Sequence, residues 1–304
     1  MYENSTYEKN DAFESGLDAG LEDVGYEESR KVSNKRRKEE TTIREVKESI
    51  KSGGGNKKKE ANYEATVTLP TKGLLYKDSG IPAEITLRGM TTKEEKILYA
   101  SAGKDVFKKI LRNCVVSPSN LDVNKLVSVD ETFLILQLRM VTYGDKYRVQ
   151  ARCPHCGERD TYNISLSDFD VVYLDDDFEE PIDIELPRSG DTLGIRVLRN
   201  EDTEFVDRYS KKFAKQFNLN YREVEYTCRM AKFIQSINGK PVKFTDARDY
   251  VENMPSMDSA KFWTVVNGID VGIDTRSEVL CHSCGEEFDF DMPINSEFFR
   301  PIIE

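Results

Sequence analysis

Two short stretches, far apart in the chain, limit its fold more than any other feature. They are Cys153-Pro154-His155-Cys156-Gly157 and Cys281-His282-Ser283-Cys284-Gly285. Each sets two cysteines two residues apart ahead of a glycine. That spacing turns the backbone so that both thiolates face one centre, and the glycine permits the tight return. Two such knuckles supply four sulfurs, the full tetrahedral set that zinc prefers. With four protein ligands no position stays open for water or substrate. Cys153, Cys156, Cys281 and Cys284 are therefore expected to hold a structural Zn2+. The same residues admit other readings. They are four buried, unligated thiols, or a thiol–disulfide oxidoreductase, since Cys-Pro-His-Cys is also a redox sequence. Redox chemistry needs the first cysteine at a helix N-terminus. After the first knuckle, Tyr162, Ile164 and Leu166 alternate as a strand does. His155 and His282 could each replace a cysteine as ligand, or stand as exposed loop histidines.

Each knuckle is framed by alternating patterns. Tyr147, Val149 and Ala151 lead into the first, and Tyr162 to Leu166 leave it. Ser277 to Leu280 lead into the second, and Phe288, Phe290 and Met292 leave it. Strand, knuckle and strand in that order make half a zinc ribbon. Here the two halves are separated by a long stretch of chain. Closing so long a loop costs only a few kcal/mol, because the cost grows with the logarithm of length. A structural zinc in small peptides binds with about 10–16 kcal/mol of apparent free energy, enough to offset it.

The rest of the chain reads in blocks. Residues 1–60 look disordered by composition: acidic at first, basic at Lys35-Arg36-Arg37-Lys38, then glycine-rich at Ser52 to Asn56. Tyr2, Tyr7, Phe13, Leu17, Leu21 and Tyr26 are scattered through the tail as candidate docking anchors. Ala65, Val67 and Leu69 alternate as a strand, and Leu74-Leu75-Tyr76 and Ala83 to Arg88 read as further extended pieces. Thr91 to Glu94 has capping-box form, and so does Ser128 to Glu131. Between them, Val106, Phe107, Ile110 and Leu111 form one helix face, with Lys104, Lys108, Lys109 and Arg112 as its wet side. Phe133, Leu134, Leu136, Leu138 and Val141 predict a helix buried on most sides, at the centre of the core, stopped at Tyr143-Gly144-Asp145. The acidic run Asp175 to Glu180 lacks the spacing of a calcium loop and reads as a solvated connection. Ile182, Ile184 and Leu186, then Leu193, Ile195 and Val197, predict a hairpin. From Asn200 to Asn267 the periodicity becomes helical, with Phe205, Tyr209, Phe213 and Phe217 forming one stripe expected in the core.

The expected fold class is α+β: a mixed core with a split four-cysteine zinc ribbon, a mainly helical insertion and a disordered N-terminal tail. The expected divisions are 1–60 for the tail, 61–190 with 270–304 for the core, and 191–269 for the insertion. Cys114 and Cys228 fall in helical stretches and read as small buried hydrophobes. This cysteine usage fits a reducing cytoplasm.

The chain carries 44 basic and 55 acidic residues, a net charge of -11, which argues against coating nucleic acid. No apolar run approaches membrane-spanning length, and no signal-peptide core follows the polar N-terminus. An enzyme is not expected. The chain has 2 histidines, both inside the knuckles, so a Ser-His or Cys-His pair would dismantle the metal site. No phosphate-cradling loop is present, since Ser52 to Lys57 lacks the flanking strand and the spacing. Carboxylates are plentiful, so a general acid/base pair of Asp and Glu stays open at this level.

Several stretches stand out together: Leu69-Pro70-Thr71-Lys72-Gly73-Leu74-Leu75-Tyr76, Arg88-Gly89-Met90-Thr91-Thr92-Lys93-Glu94-Glu95-Lys96-Ile97-Leu98, Arg139 with Tyr143-Gly144-Asp145, the two knuckles, and Phe298-Phe299-Arg300-Pro301. In these the chain resembles the baseplate hub subunit and hub assembly protein family of contractile-tailed, T-even-like bacteriophages. The likeness covers residues 63–174 and about the last thirty. It implies a non-enzymatic role in building the tail baseplate, in the virion or in the host cytoplasm during assembly. The implied partners are other hub proteins and the tape-measure protein. The competing reading is a zinc-ribbon nucleic-acid or transcription-machinery adaptor using the basic run and the knuckle faces. The acidic total and the few basic residues near the knuckles, such as Arg152 and Arg159, count against it.

Overall fold

The alternation around Val67 and Ile85 makes two strands, Glu64–Thr68 (β1) and Glu84–Arg88 (β2), in the computed structural model, which describes residues 63–100, 105–294 and 296–299. They pair antiparallel with Val67 opposite Ile85 and Ala65 opposite Leu87, so one face of the ribbon is apolar. The segment between them departs from the sequence reading. Leu74–Tyr76 is a single 3-10 turn, not an extended piece. Leu75 and Tyr76 turn inward there, and the Tyr76 ring is wholly buried. The expected tail, residues 1–60, lies outside the described residues, as do Lys104 and residues 300–304.

Helix α1 (Thr92–Ala100) starts where its capping box predicts. The Thr91 N–H and hydroxyl both donate to Glu94 Oε2 at 2.8 Å, and the Lys93 N–H donates to Thr91 Oγ1 at 3.4 Å. Helix α2 (Asp105–Cys114) follows, with Val106, Ile110, Leu111 and Cys114 buried. Lys109 and Arg112 stay in water, whereas Lys108 pairs with Glu204. Strand β3 (Val115–Ser117) then joins β2, giving the order β1-β2-β3.

Helix α3 (Ser128–Tyr143) occupies the centre of this core, with Phe133, Leu134, Ile135, Leu136 and Leu138 all buried. Gly144, at φ 88°, stops it, and its N–H closes on the Met140 carbonyl. The capping box expected at Ser128 does not form. Val127 is the N-cap residue, and Asp130 turns into the protein instead. Its carboxylate accepts from Thr71 Oγ1 and Tyr76 Oη, each at 2.5 Å, and from the Thr71 N–H at 3.2 Å. Burial pushes the Asp130 pKa up, against the pull of those donors. The tertiary site outcompetes the cap.

Strands β4 (Lys146–Arg152) and β5 (Arg159–Ser165) form an antiparallel ribbon through the first knuckle. The short strand β6 (Val171–Val172) follows. In the acidic run, Asp176 and Glu179 pair at the surface with Lys72 and Lys77. Glu180 is drawn in instead: it meets Arg199 at 2.7 Å, with side chains 13% and 11% exposed. Arg199 also donates to the Leu75 carbonyl, and the Asn200 N–H donates to the Leu126 carbonyl at 2.8 Å. These contacts bind the helical part to the core.

Strands β7 (Ile182–Glu185) and β8 (Thr192–Ile195) form the expected hairpin. The 190/191 division falls in its turn. Ile184 and Leu186 before that turn pack in one cluster with Leu193, Ile195, Phe233, Val251 and Phe262 after it. The cluster is completed by α5 (Tyr221–Phe233), β9 (Ile234–Ile237), α6 (Phe244–Glu252) and α7 (Ser256–Asn267), while α4 (Asn200–Phe217) packs Val206 and Ala214 in a separate small cluster with Val224 and Cys228, and β10 (Lys240–Pro241) edges the sheet. The sheet order is β10-β9-β8-β7. Asp258, fully buried in the first turn of α7, accepts the Arg188 and Ser189 N–H groups at 2.6 and 3.0 Å and pins the hairpin turn.

The aromatic stripe of α4 forms, its rings following one another at 5.8, 5.8 and 4.6 Å. Phe205, Tyr209 and Phe213 lie half-buried against a small cluster of Val206, Ala214, Val224 and Cys228, so three of the four rings meet the expectation in part. Val206, Ser210 and Ala214 take the buried line of α4, while Phe217 is 53% exposed. Cys114 and Cys228 are both wholly buried, and burial raises the Cys114 thiol pKa to about 12.

The chain returns through β11 (Gly272–Ile273), which pairs with β6, and then enters β12 (Arg276–Leu280) and β13 (Glu287–Asp291) around the second knuckle. Phe298 and Phe299 are buried against the first core, and the buried Arg139 Nε donates to the Phe298 carbonyl at 3.0 Å. No helix among the described residues is long and apolar enough to cross a membrane.

Glu94 carries a pH dependence with a definite sign. Burial alone would raise its pKa, but the Arg88 guanidinium and the two Thr91 donors outweigh it and bring the value down to about 2. A carboxyl depressed on folding contributes stability above its unfolded pKa and loses it as pH falls. Between about pH 5 and pH 2 wild type should lose up to roughly 3 kcal/mol that Glu94→Gln does not lose. Urea unfolding of both proteins across that range measures the difference; parallel pH profiles would remove the assignment.

Candidate metal centre

The two knuckles are built alike. In the first, the Cys153 N–H donates to the Glu158 carbonyl and the Gly157 N–H to the Cys153 carbonyl, both at 2.9 Å. In the second, the Cys281 N–H donates to the Glu286 carbonyl and the Gly285 N–H to the Cys281 carbonyl, again at 2.9 Å. Gly157 and Gly285 both have φ of 76°, a left-handed turn that a side chain resists. In each knuckle the first cysteine is buried and the second exposed. Arg152 Nε braces the first turn through a 2.9 Å bond to the Gly157 carbonyl.

This repeated turn aims the sulfurs at one point although the knuckles are more than 120 residues apart in the chain. Cys153 Sγ lies 3.8 Å from Cys284 Sγ, and Cys156 Sγ lies 3.7 Å from Cys281 Sγ. All four sulfurs are within 4.8 Å of one another. A tetrahedral zinc with bonds of about 2.3 Å requires sulfur–sulfur edges of about 3.8 Å. The contacts between knuckles match that edge, and they lie well beyond a disulfide bond of about 2.05 Å. The donor set fits a four-thiolate metal.

The electrostatics agree. The Cys284 and Ser283 N–H groups bring the Cys281 thiol down to about 6, with help from neighbouring sulfurs. At Cys284 the Glu286 N–H pulls the other way from burial and the sulfur neighbours, which prevail and raise it to about 12. A cation at the centre would supply positive charge that favours the thiolate forms.

Neither histidine belongs to the four-sulfur group. His282 Nδ1 lies 2.6 Å from Asp160 Oδ2 across the knuckles, and its ring stacks on Tyr162 at 5.1 Å. The Asp160 carboxyl is held below its ordinary value by the Thr161 N–H first and by His282 second. The helix that redox chemistry needs is not found after Cys153, because the chain runs straight into β5. Sequence reasoning named Tyr162 only as a strand residue and did not single out Asp160. Both lie within six residues of Cys156, and that proximity was the available signal.

Comparison with known families matches residues 60–300 to the one described as T4 bacteriophage base plate protein. The chain belongs to that family. It is a bacteriophage baseplate protein, a component of the virion tail that works in contact with other baseplate proteins. No curated protein matches it, and no solved structure does.

Protein purified in reducing buffer should contain close to one metal ion per chain. Cys284→Ser should weaken its retention by more than the roughly 10–100-fold that loss of an outer-sphere partner costs. Because metal-bound thiolates have depressed pKa values, retention should be firm at neutral pH and fail as pH falls. Elemental analysis with chelator competition at several pH values reads both. Metal-free, folded wild type would contradict the assignment.

Proposed function

We propose that this chain is a non-enzymatic structural and assembly protein of the baseplate hub. In this reading Cys153, Cys156, Cys281 and Cys284 bind one structural Zn2+ that stiffens the chain into an interaction module. The observation that carries it is the convergence of four sulfurs at tetrahedral spacing on a family member's core. A closed four-thiolate site offers no position to a substrate, which suits a structural rather than a catalytic metal. The ribbon-bearing part, residues 61–190 and 270–304, would be the rigid seat. The 191–269 part and the charged residues 1–60 would reach other components, with hub subunits and the tape-measure protein as the partners in view. Assembly would begin in the host cytoplasm. A nucleic-acid adaptor has less support, because Arg152 is spent on the Gly157 carbonyl and the chain is net -11.

The test is position and dependence in the particle. Purified tails carrying a tagged copy of this chain should show the tag at the central hub by electron microscopy. Phage producing Cys156→Ser, Cys284→Ser protein should yield far fewer complete baseplates. A tag found at the periphery, or normal baseplates from the double variant, would overturn the hub role or the metal's part in it, respectively.

A further inference from the structure

The helical hairpin of α4 and α5 ends in a tip that does not suit open water. Phe217 and Leu219 are 53% and 50% exposed there. The turn holds them out firmly. Asn218 sits in the left-handed region at φ 54°, and its N–H and that of Leu219 both close on the Ala214 carbonyl. Asn220 then caps α5 by accepting the Arg222 N–H at 2.9 Å. Charge around the tip is of one sign. Arg208, Lys211, Lys212, Lys215 and Arg222 occupy a stretch without Asp or Glu, in a chain of net charge -11. Lys211 pairs with Asp207, but Lys212, Lys215 and Arg222 are exposed and make no ion pair among the described residues. Two apolar side chains held out within a basic surround suit a partner that is apolar inside and acidic at its rim.

The same chain carries such a surface elsewhere. A cleft of about 520 Å3 opens between the acidic run and the end of α7. That size falls in the range of about 300–1,000 Å3 that binding clefts occupy. Its floor is apolar: Leu174, Phe178 and Ile269 belong to the first core's cluster, Ile182 and Val265 to the second. Its rim carries Asp175, Glu179 and Asp270, all exposed. Asp270 makes no ion pair among the described residues, and Glu179 meets Lys77 at 3.5 Å with side chains 79% and 63% exposed. Within one copy the two surfaces stay apart, since neither Phe217 nor Leu219 lines the cleft and no basic residue does.

We propose that the α4–α5 tip of one copy docks in this cleft of a second copy. Phe217 and Leu219 meet the apolar floor, and Lys212, Lys215 and Arg222 face the rim carboxylates. The two surfaces match in both respects at once, apolar to apolar and positive to negative. An anionic lipid surface would satisfy the tip and leave the cleft bare. The contact joins different patches, so a docked pair still offers an open tip on one copy and an open cleft on the other. Such a heterologous contact builds a ring if its rotation closes and an open filament if it does not.

The test is the mass of the full chain in solution, read by sedimentation velocity over a wide concentration range. Wild type should gain mass as concentration rises. Lys212→Glu with Lys215→Glu, and separately Glu179→Lys with Asp270→Lys, should each weaken association roughly tenfold or more, because like charges then face each other. Mixing the two charge-reversed proteins should restore it, since each tip then meets a cleft of opposite sign. A misfolded variant could not be rescued in this way, and all four side chains are exposed. Phe217→Ser should weaken association with every charge in place. Wild type that stays monomeric throughout, or that gathers on anionic lipid vesicles without self-associating, would overturn the inference. So would a mixture no heavier than its parts. The metal site takes no part in this contact and stands under either result.

Discussion

Everything in this molecule turns on how two short ribbons are kept together. The β4-β5 and β12-β13 hairpins are separate two-stranded sheets, and no ladder of backbone hydrogen bonds joins one to the other. A two-stranded hairpin is marginal in water. What spans the gap is the sulfur cluster, the His282–Asp160 contact, and the packing of Tyr162 with Phe288. The first is the strong term once a cation neutralises it. The His282–Asp160 contact is exposed, at 61% and 40%, whereas Tyr162 and Phe288 are buried. The four-sulfur group thus sits where the two ribbons meet, above the apolar cluster that Tyr147, Val149, Tyr162 and Ile164 share with Phe288 and Met292.

The core around α3 shows a second arrangement of the same kind, made with polar groups instead of sulfur. Asp130 gathers Thr71 and Tyr76, and Tyr76 Oη in turn accepts the Val127 N–H at 2.9 Å. Arg199, from the start of the helical part, reaches both Glu180 and the Leu75 carbonyl. The 3-10 turn at Leu74–Tyr76 is thus held from the core on one side and from the helical part on the other. Buried polar groups of this sort are costly unless every member is satisfied, and here they are. Such a network fixes a single arrangement where apolar packing alone would tolerate several.

Much of this was legible in the chain beforehand, and the failures share one cause. The knuckle spacing, the alternation at Tyr147 to Ala151 and the buried helix through Leu134 are local signals that dictate local structure. The readings that missed are those where a distant partner changed a local preference. Ser128 has the form of a cap, yet Asp130 is taken by Thr71 and Tyr76, more than fifty residues away. Leu74 to Tyr76 has strand-like composition, yet it curls because Tyr76 must reach Asp130. Glu180 belongs to an acidic run, yet Arg199 pulls it under cover. The Phe205 to Phe217 stripe was visible, but its depth was set by α5 and α6. At the metal centre the ligands were legible, while Asp160 and Tyr162 acquire meaning only once the two ribbons face each other.

The seating of Phe298 and Phe299 beside Arg139 has a consequence for how the chain is made. The first core needs residues from both knuckles and from the segment beyond the second, so it cannot be sealed while a ribosome is still short of them. Until then Cys153 and Cys156 offer half a ligand set, and Arg139 sits in an open cleft. A polypeptide clipped before Phe298 loses two buried rings and the carbonyl that holds the Arg139 guanidinium, so proteolysis there opens the same core that α3 fills.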